Sequence, residues 1–138
     1  MDKFDKERYW HTSSHILAQA VKRLFPDTKL GTGPAIENGF YYDFYRETPF
    51  TPDDFSMIEL EMKKIIEENH SIDKKVISRE EAEELFSKEP FKLEILQDLE
   101  NDEITIYTNG EFFDLCEGPH LSYTGEVKYF KILSLMLL

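Results

Sequence analysis

Two asparagine–glycine dipeptides constrain this chain more than any other feature. Asn38-Gly39 stands inside "KLGTGPAIENGFYYDFY", and Asn109-Gly110 stands inside "EITIYTNGEFFDLC". Each is flanked by aromatic and β-branched residues. A tight primed turn needs positive φ, which Asn and Gly accept cheaply, and its twist matches an antiparallel strand pair. Two hairpins are therefore expected. Hairpins dominate the strands, so an α+β fold with an antiparallel sheet is favoured over a doubly wound parallel sheet.

Three or four helices accompany the hairpins. "ERYWHTSSHILAQAVKRLF" carries Trp10, Leu17, Val21 and Leu24 at helical spacing, and Pro26 stops it. "TPDDFSMIELEMKKIIEEN" begins with Thr51 as cap and Pro52 in the first turn, with Phe55, Ile58, Met62, Ile65 and Ile66 as its apolar face. "SREEAEELF" opens with a capping box, Ser78 and Glu81, and "EPFKLEILQDL" reads as a further short helix. "SIDKKVI" reads as a strand. The 138 residues make one domain, 1–138, large enough for a hydrophobic core.

Charge and cysteine usage narrow the function. The formal net charge is −12, which opposes free-standing binding to nucleic acid, because phosphate contacts need Lys and Arg. One cysteine cannot form an internal disulfide, which fits a reducing, cytoplasmic location. The start, "MDKFDKERYW", has no apolar stretch of its own, and the apolar "ILSLMLL" is too short to span a membrane.

The lone cysteine has company. "HTSSH" places His11 and His15 one helical turn apart on one face, and "DLCEGPH" places His120 four positions after Cys116. Gly118-Pro119 forbids a regular helix there, so the loop must turn. Three imidazoles and a thiolate suit tetrahedral zinc. A lone His pair is more often surface chemistry and a lone Cys more often a small buried hydrophobe, but the two pairs together make a site the better reading. Asp114, two residues before Cys116, is placed to orient an imidazole, or is an ordinary exposed strand residue. His70 follows a helix end and reads as a charge near its C-terminus, with no role. "GTGP" lacks the Lys-Ser/Thr of a phosphate loop and reads as a kinked strand.

These residues carry a resemblance. "HTSSHIL", "GPAIENGFYYDF", "PFKLEIL", "DLCEGPH" and "KYFKIL" follow the order and spacing seen in threonyl-tRNA synthetases, from about Tyr9 to Leu133. The stretch resembles the second N-terminal, editing domain of the bacterial-type enzyme. Alanyl-tRNA synthetases and free-standing alanyl-tRNA editing proteins share the H-x-x-x-H…C-x-x-x-H framework, while "GFYYDF" points to the threonyl branch.

The resemblance implies hydrolysis of the ester that joins serine to threonine tRNA, with the aminoacylation and anticodon-binding domains elsewhere and no ligase activity from this stretch. It implies that His11, His15, Cys116 and His120 line the pocket, and that Lys92, Tyr42 and Asp114 belong to it, Tyr42 on the substrate. An activation pocket that admits threonine loses only about 1–3 kcal/mol by admitting serine, so a second site must sort the products. His11 is the candidate base, and Lys92 would hold a water or the oxyanion; without the resemblance Lys92 reads as a solvated helix lysine. Four protein ligands would fill zinc and leave no position for water, so no cofactor is expected to be required, although zinc can bind the quartet. The implied partner is the aminoacylated acceptor end of tRNA, held weakly by this domain alone. The alternatives are a non-catalytic binding module stabilised by zinc and a free-standing trans-editing protein.

Overall fold

A computed structural model describes residues 3–33, 35–36 and 39–128. Their order is α1 (Lys3–Leu24), β1 (Lys29–Leu30), β2 (Ala35–Ile36), β3 (Gly39–Phe40), β4 (Phe44–Tyr45), α2 (Pro52–Glu68), β5 (Ile72–Ser78), α3 (Arg79–Leu85), α4 (Pro90–Asp98), β6 (Glu103–Asn109), β7 (Phe112–Leu115) and a 3-10 turn at Thr124–Glu126. This is the expected α+β arrangement: four helices and small antiparallel sheets, and no described helix is long and apolar enough to cross a membrane.

The second hairpin forms as expected, but its turn residues are Gly110 and Glu111: Asn109 is still in the strand opposite Phe112, and Gly110 takes φ +60. The hairpin gains a third strand, because β5 pairs antiparallel with β6 along seven positions from Ile72–Asn109 to Ser78–Glu103. The first hairpin is broken into two ladders, β1 with β4 and β2 with β3. Gly31, Thr32 and Gly33 of the glycine-rich stretch lie at that break. Asn38 of the first turn, and residues 129–138 with most of "KYFKIL" and "SLMLL", lie outside the described residues.

Helix ends follow side-chain chemistry. Thr51 Oγ1 accepts the Asp54 N–H at 3.2 Å, and the Asp54 carboxylate accepts the Thr51 N–H at 2.8 Å. Ser78 caps α3 by accepting the Glu81 N–H at 3.1 Å, but the Glu81 carboxylate takes the Ser78 hydroxyl, 3.3 Å away, rather than its backbone. Half of the expected capping box therefore forms.

Two apolar clusters flank the three-stranded sheet. Ile16, Leu17 and Val21 of α1 meet Ile58, Met62 and Ile65 of α2 and Phe112 in one cluster. Ala82 of α3, Phe86 just past its end and Leu96 of α4 meet Ile104 and Ile106 in the other. The two-residue period of β7 sorts its side chains between them. Phe113 and Leu115 pack toward α3 and α4, so Phe112 and Asp114 turn toward α1. Cys116, two positions beyond Asp114, continues on the α1 side.

The expected stripe on α1 is too narrow. Every residue from Thr12 to Val21 is buried, including Ser13, Ser14 and Gln19, whereas Trp10 and Leu24 are only half-buried. Short polar side chains survive there by bonding nearby carbonyls: Ser13 donates to Tyr9 O at 2.8 Å and Ser14 to His11 O at 2.7 Å. The C-terminal half of α1 is clamped. The Arg23 guanidinium reaches Glu61, Glu68 and Glu111, and the Gln19 and Asn109 amides bond at 2.5 Å. These ties set α1 against the β6–β7 turn, and so set the histidine pair against Cys116.

Candidate functional site

The four side chains converge. The ligand atoms of His11, His15, Cys116 and His120 all lie within 4.8 Å of one another. Two helical positions one turn apart supply two imidazoles, and Cys116 arrives just past β7. The loop after it turns at Gly118, φ +88, where a Cβ would collide with Tyr107, and carries His120 back over the histidine pair. The His120 ring stacks on His11 at 4.3 Å and lies 4.3 Å from His15 and 4.5 Å from Tyr107. Cys116 Sγ is 3.2 Å from His11 Nε2 and 3.2 Å from His120 Nε2, and it accepts the Gly118 N–H at 3.3 Å.

Beside the quartet lies a buried polar knot. Lys92 Nζ meets Asp114 Oδ1 at 2.5 Å, with both side chains about 2% exposed. Tyr42 donates its hydroxyl to Asp114 Oδ2 at 2.6 Å, and the Leu115 N–H adds a bond of 2.8 Å to Oδ1. His15 Nε2 stands 3.6 Å from Asp114 Oδ2. Asp114 is thus no exposed strand residue and Lys92 no solvated helix lysine. Tyr42 reaches the site through Asp114, its ring stacked on Phe44 at 5.2 Å.

A cavity of about 270 Å³ opens between the two groups, walled by His11, His15, Thr32, Gly33, Lys92, Ile95, Asp114 and Leu115. Cys116 and His120 stand behind the imidazoles and do not line it. A larger cavity of about 490 Å³ lies farther along α1 among Leu30, Phe86 and Phe112. It holds no imidazole, and its Lys22 and Arg23 are committed to carboxylates.

Burial keeps the site uncharged apart from the Lys92–Asp114 pair. It pushes His11, His15 and His120 below the ordinary imidazole range; the neighbouring imidazoles reinforce this for His15 and His120, while a backbone bond to Pro119 and the Asp114 charge oppose it for His11. Burial also raises the Tyr42 hydroxyl well above its usual range, so Tyr42 remains a donor to Asp114. The Cys116 thiol is pushed up to about 12, chiefly by burial, so a thiolate there needs a cation. The donor set fits zinc, being three imidazoles and one sulfur. Among the described residues His15 Nδ1 is buried without a hydrogen-bond partner, an orphan that an ion would satisfy.

Sequence reading missed the far wall. The Ser14 hydroxyl, on α1, shares its one proton between His11 O and Gly33 O, each 2.7 Å away, and so ties the kinked strand to the helix across the cavity. A Cβ on Gly33 would overlap the Tyr42 ring and the Tyr41 carbonyl. Gly33→Ala is expected to push Tyr42 off Asp114 and lower stability by about 1–3 kcal/mol in urea unfolding. An unchanged midpoint would mean that the kink yields freely. Ile95 was legible in principle, three positions after Lys92 on the same helical face.

Comparison with known proteins bears on the family to which the chain is similar. Residues 104–135 match the model of the threonyl and alanyl tRNA synthetase second additional domain. The chain is 57% identical over 136 residues to the threonine–tRNA ligase of Caldanaerobacter subterraneus subsp. tengcongensis, covering 96% of this chain and 21% of that protein. It is 56% identical over 131 residues to the Thermotoga petrophila ligase, 93% of this chain and 20% of that protein. For Staphylococcus carnosus the identity is 50% over 125 residues, 90% of this chain and 19% of the ligase. The chain spans about a fifth of the length of these relatives.

Proposed function

We propose, since the chain belongs to the threonyl and alanyl tRNA synthetase second additional domain family and is the editing domain of a threonine–tRNA ligase, that it hydrolyses the aminoacyl ester of mischarged tRNA. The preferred substrate is seryl-tRNA made in error by the threonine enzyme. The observation that carries this reading is a buried ammonium, Lys92, sharing one cavity with two uncharged imidazoles, His11 and His15.

Each part has a task in ester hydrolysis. An aminoacyl ester is already activated, so the site must supply a positioned water, a base and a charge for the oxyanion. His11 is half-buried on the cavity wall, and its lowered basicity keeps its imidazole neutral and able to accept a proton at neutral pH. It takes a proton from water as the oxygen adds to the carbonyl carbon. The Lys92 ammonium, desolvated and held by Asp114, faces the negative charge that develops on the carbonyl oxygen. Collapse of the tetrahedral adduct expels the ribose oxygen, and the imidazolium returns the proton to it. Tyr42 and the Leu115 N–H hold Asp114, and through it Lys92. Held by all four side chains, a zinc ion would stabilise the Cys116 thiolate and tie the loop to α1, but it would have no open position for water and would occupy the His11 lone pair. The net charge of −12 makes capture of whole tRNA weak, so the bound part is the terminal aminoacyl-adenosine.

A second reading rests on Cys116, which has two imidazole nitrogens 3.2 Å away: the quartet is a closed zinc site in a non-catalytic binding module. One experiment separates the two. The chain is assayed on seryl- and threonyl-tRNA before and after chelation, with metal content measured. The editing reading expects cleavage of the seryl ester, sparing of the threonyl ester, and activity that persists after chelation. No cleavage by a folded, zinc-loaded chain would support the binding module. Activity that vanishes with the metal and returns with zinc would keep the hydrolase and remove the metal-free base.

A further inference from the structure

We propose that Thr12 is the positioning residue that fixes which edge of the His120 ring faces Cys116, and that it lets that edge carry either a proton or a lone pair. The inference rests on the editing reading only for its rate measurement. Thr12 is 1% exposed on α1, between the two helical histidines. Its Oγ1 accepts the Leu121 N–H at 3.0 Å and lies 3.0 Å from His120 Nδ1.

His11, His15 and Tyr107 set the plane of the His120 ring by stacking and edge contacts. Those contacts do not distinguish nitrogen from carbon. A half-turn of the ring about Cβ–Cγ would preserve them while presenting C–H groups where the nitrogens now stand. Only polar partners forbid that turn. Cys116 is one, at 3.2 Å from Nε2, but sulfur is a weak hydrogen-bonding group. The Thr12 hydroxyl on Nδ1 is the stronger.

Thr12 also leaves the proton free to move between ring nitrogens. A hydroxyl has one proton and two lone pairs, and Leu121 occupies one lone pair. The other lone pair can accept Nδ1–H, which leaves Nε2 bare beside Cys116. Alternatively the hydroxyl donates to a bare Nδ1, and Nε2 carries the proton. Both forms of the neutral ring keep every bond. Valine would remove this freedom at almost the same volume, and serine would retain it. Groups that orient a ligating or catalytic histidine in this way are worth about 10–100-fold in affinity or activity.

The test compares wild type with Thr12→Val and Thr12→Ser in chain labelled with ¹⁵N-histidine. Wild type should give one set of His120 ring signals. Thr12→Val should give a second orientation or a changed Nδ1/Nε2 pattern, with seryl-tRNA deacylation 10–100-fold slower, and Thr12→Ser should restore both. An unchanged ring pattern in Thr12→Val would overturn the proposal. So would a turned ring with a normal rate, or a serine variant as impaired as valine, which would assign the effect to the methyl group. Should Thr12→Val not fold, Thr12→Ala is read by the same signals and judged by the same outcomes. The ring signals are recorded whether or not the chain deacylates, so a chain that never cleaves seryl-tRNA overturns the editing function without deciding the role of Thr12.

Discussion

Lys92→Met should lower the stability of this domain by about 3–5 kcal/mol, because it leaves one member of a buried ion pair alone. The Asp114 carboxylate would keep only the Tyr42 hydroxyl and the Leu115 N–H, with no cation and almost no water. For a chain of this size the loss corresponds to a fall in melting temperature of roughly 10 °C or more. The double variant Lys92→Met/Asp114→Asn removes the stranded charge but keeps an oxygen for Tyr42, and should recover most of that loss. Its deacylation should remain abolished, because the ammonium that faces the oxyanion is gone. A single variant that melts like wild type would mean that the Lys92–Asp114 pair contributes nothing to the fold. A double variant that regains activity would remove Lys92 from the chemistry.

His11→Ala should behave in the opposite way. His11 is half-buried at the edge of the α1 core, so its removal should change stability by less than about 1 kcal/mol, as for a peripheral side chain. Its loss as general base should slow seryl-tRNA hydrolysis by about 10²–10⁴-fold. Steady-state rates on seryl-tRNA and a urea melt of the same preparation decide the matter. Parallel losses of rate and stability would show that His11 is structural.

The parts of this architecture that depend on local chemistry could be read from the sequence. The hairpin turn at Gly110, the Thr51 cap and the spacing of His11 and His15 each involve residues close in the chain, so residue type and period determine them. The β5–β6 pairing was not legible, because strand periodicity does not name a partner. The narrow stripe read on α1 failed because Thr12, Ser13 and Ser14 look like surface residues until their hydroxyls find nearby partners. The site divided in the same way. The quartet could be read from its two four-residue spacings, and the resemblance supplied Lys92 and Tyr42. Nothing local marks Lys92 as buried or Gly33 as a cavity wall, since tertiary contacts with Asp114 and Tyr42 decide both.

The cavity has one stiff jaw and one soft jaw. Its imidazoles ride on a helix whose residues from Thr12 to Val21 are all buried, so amide hydrogens there should exchange only when the whole domain unfolds. The opposite jaw, Thr32 and Gly33, belongs to a hairpin of two-residue ladders, joined by the Gly31–Asp43 and Thr32–Asp43 backbone bonds and pinned to α1 by Ser14. Such short ladders break and re-form locally at little cost. Breathing is thus directed to one side. A ligand can be admitted by loosening the hairpin while His11, Lys92 and the Cys116 cluster keep their alignment.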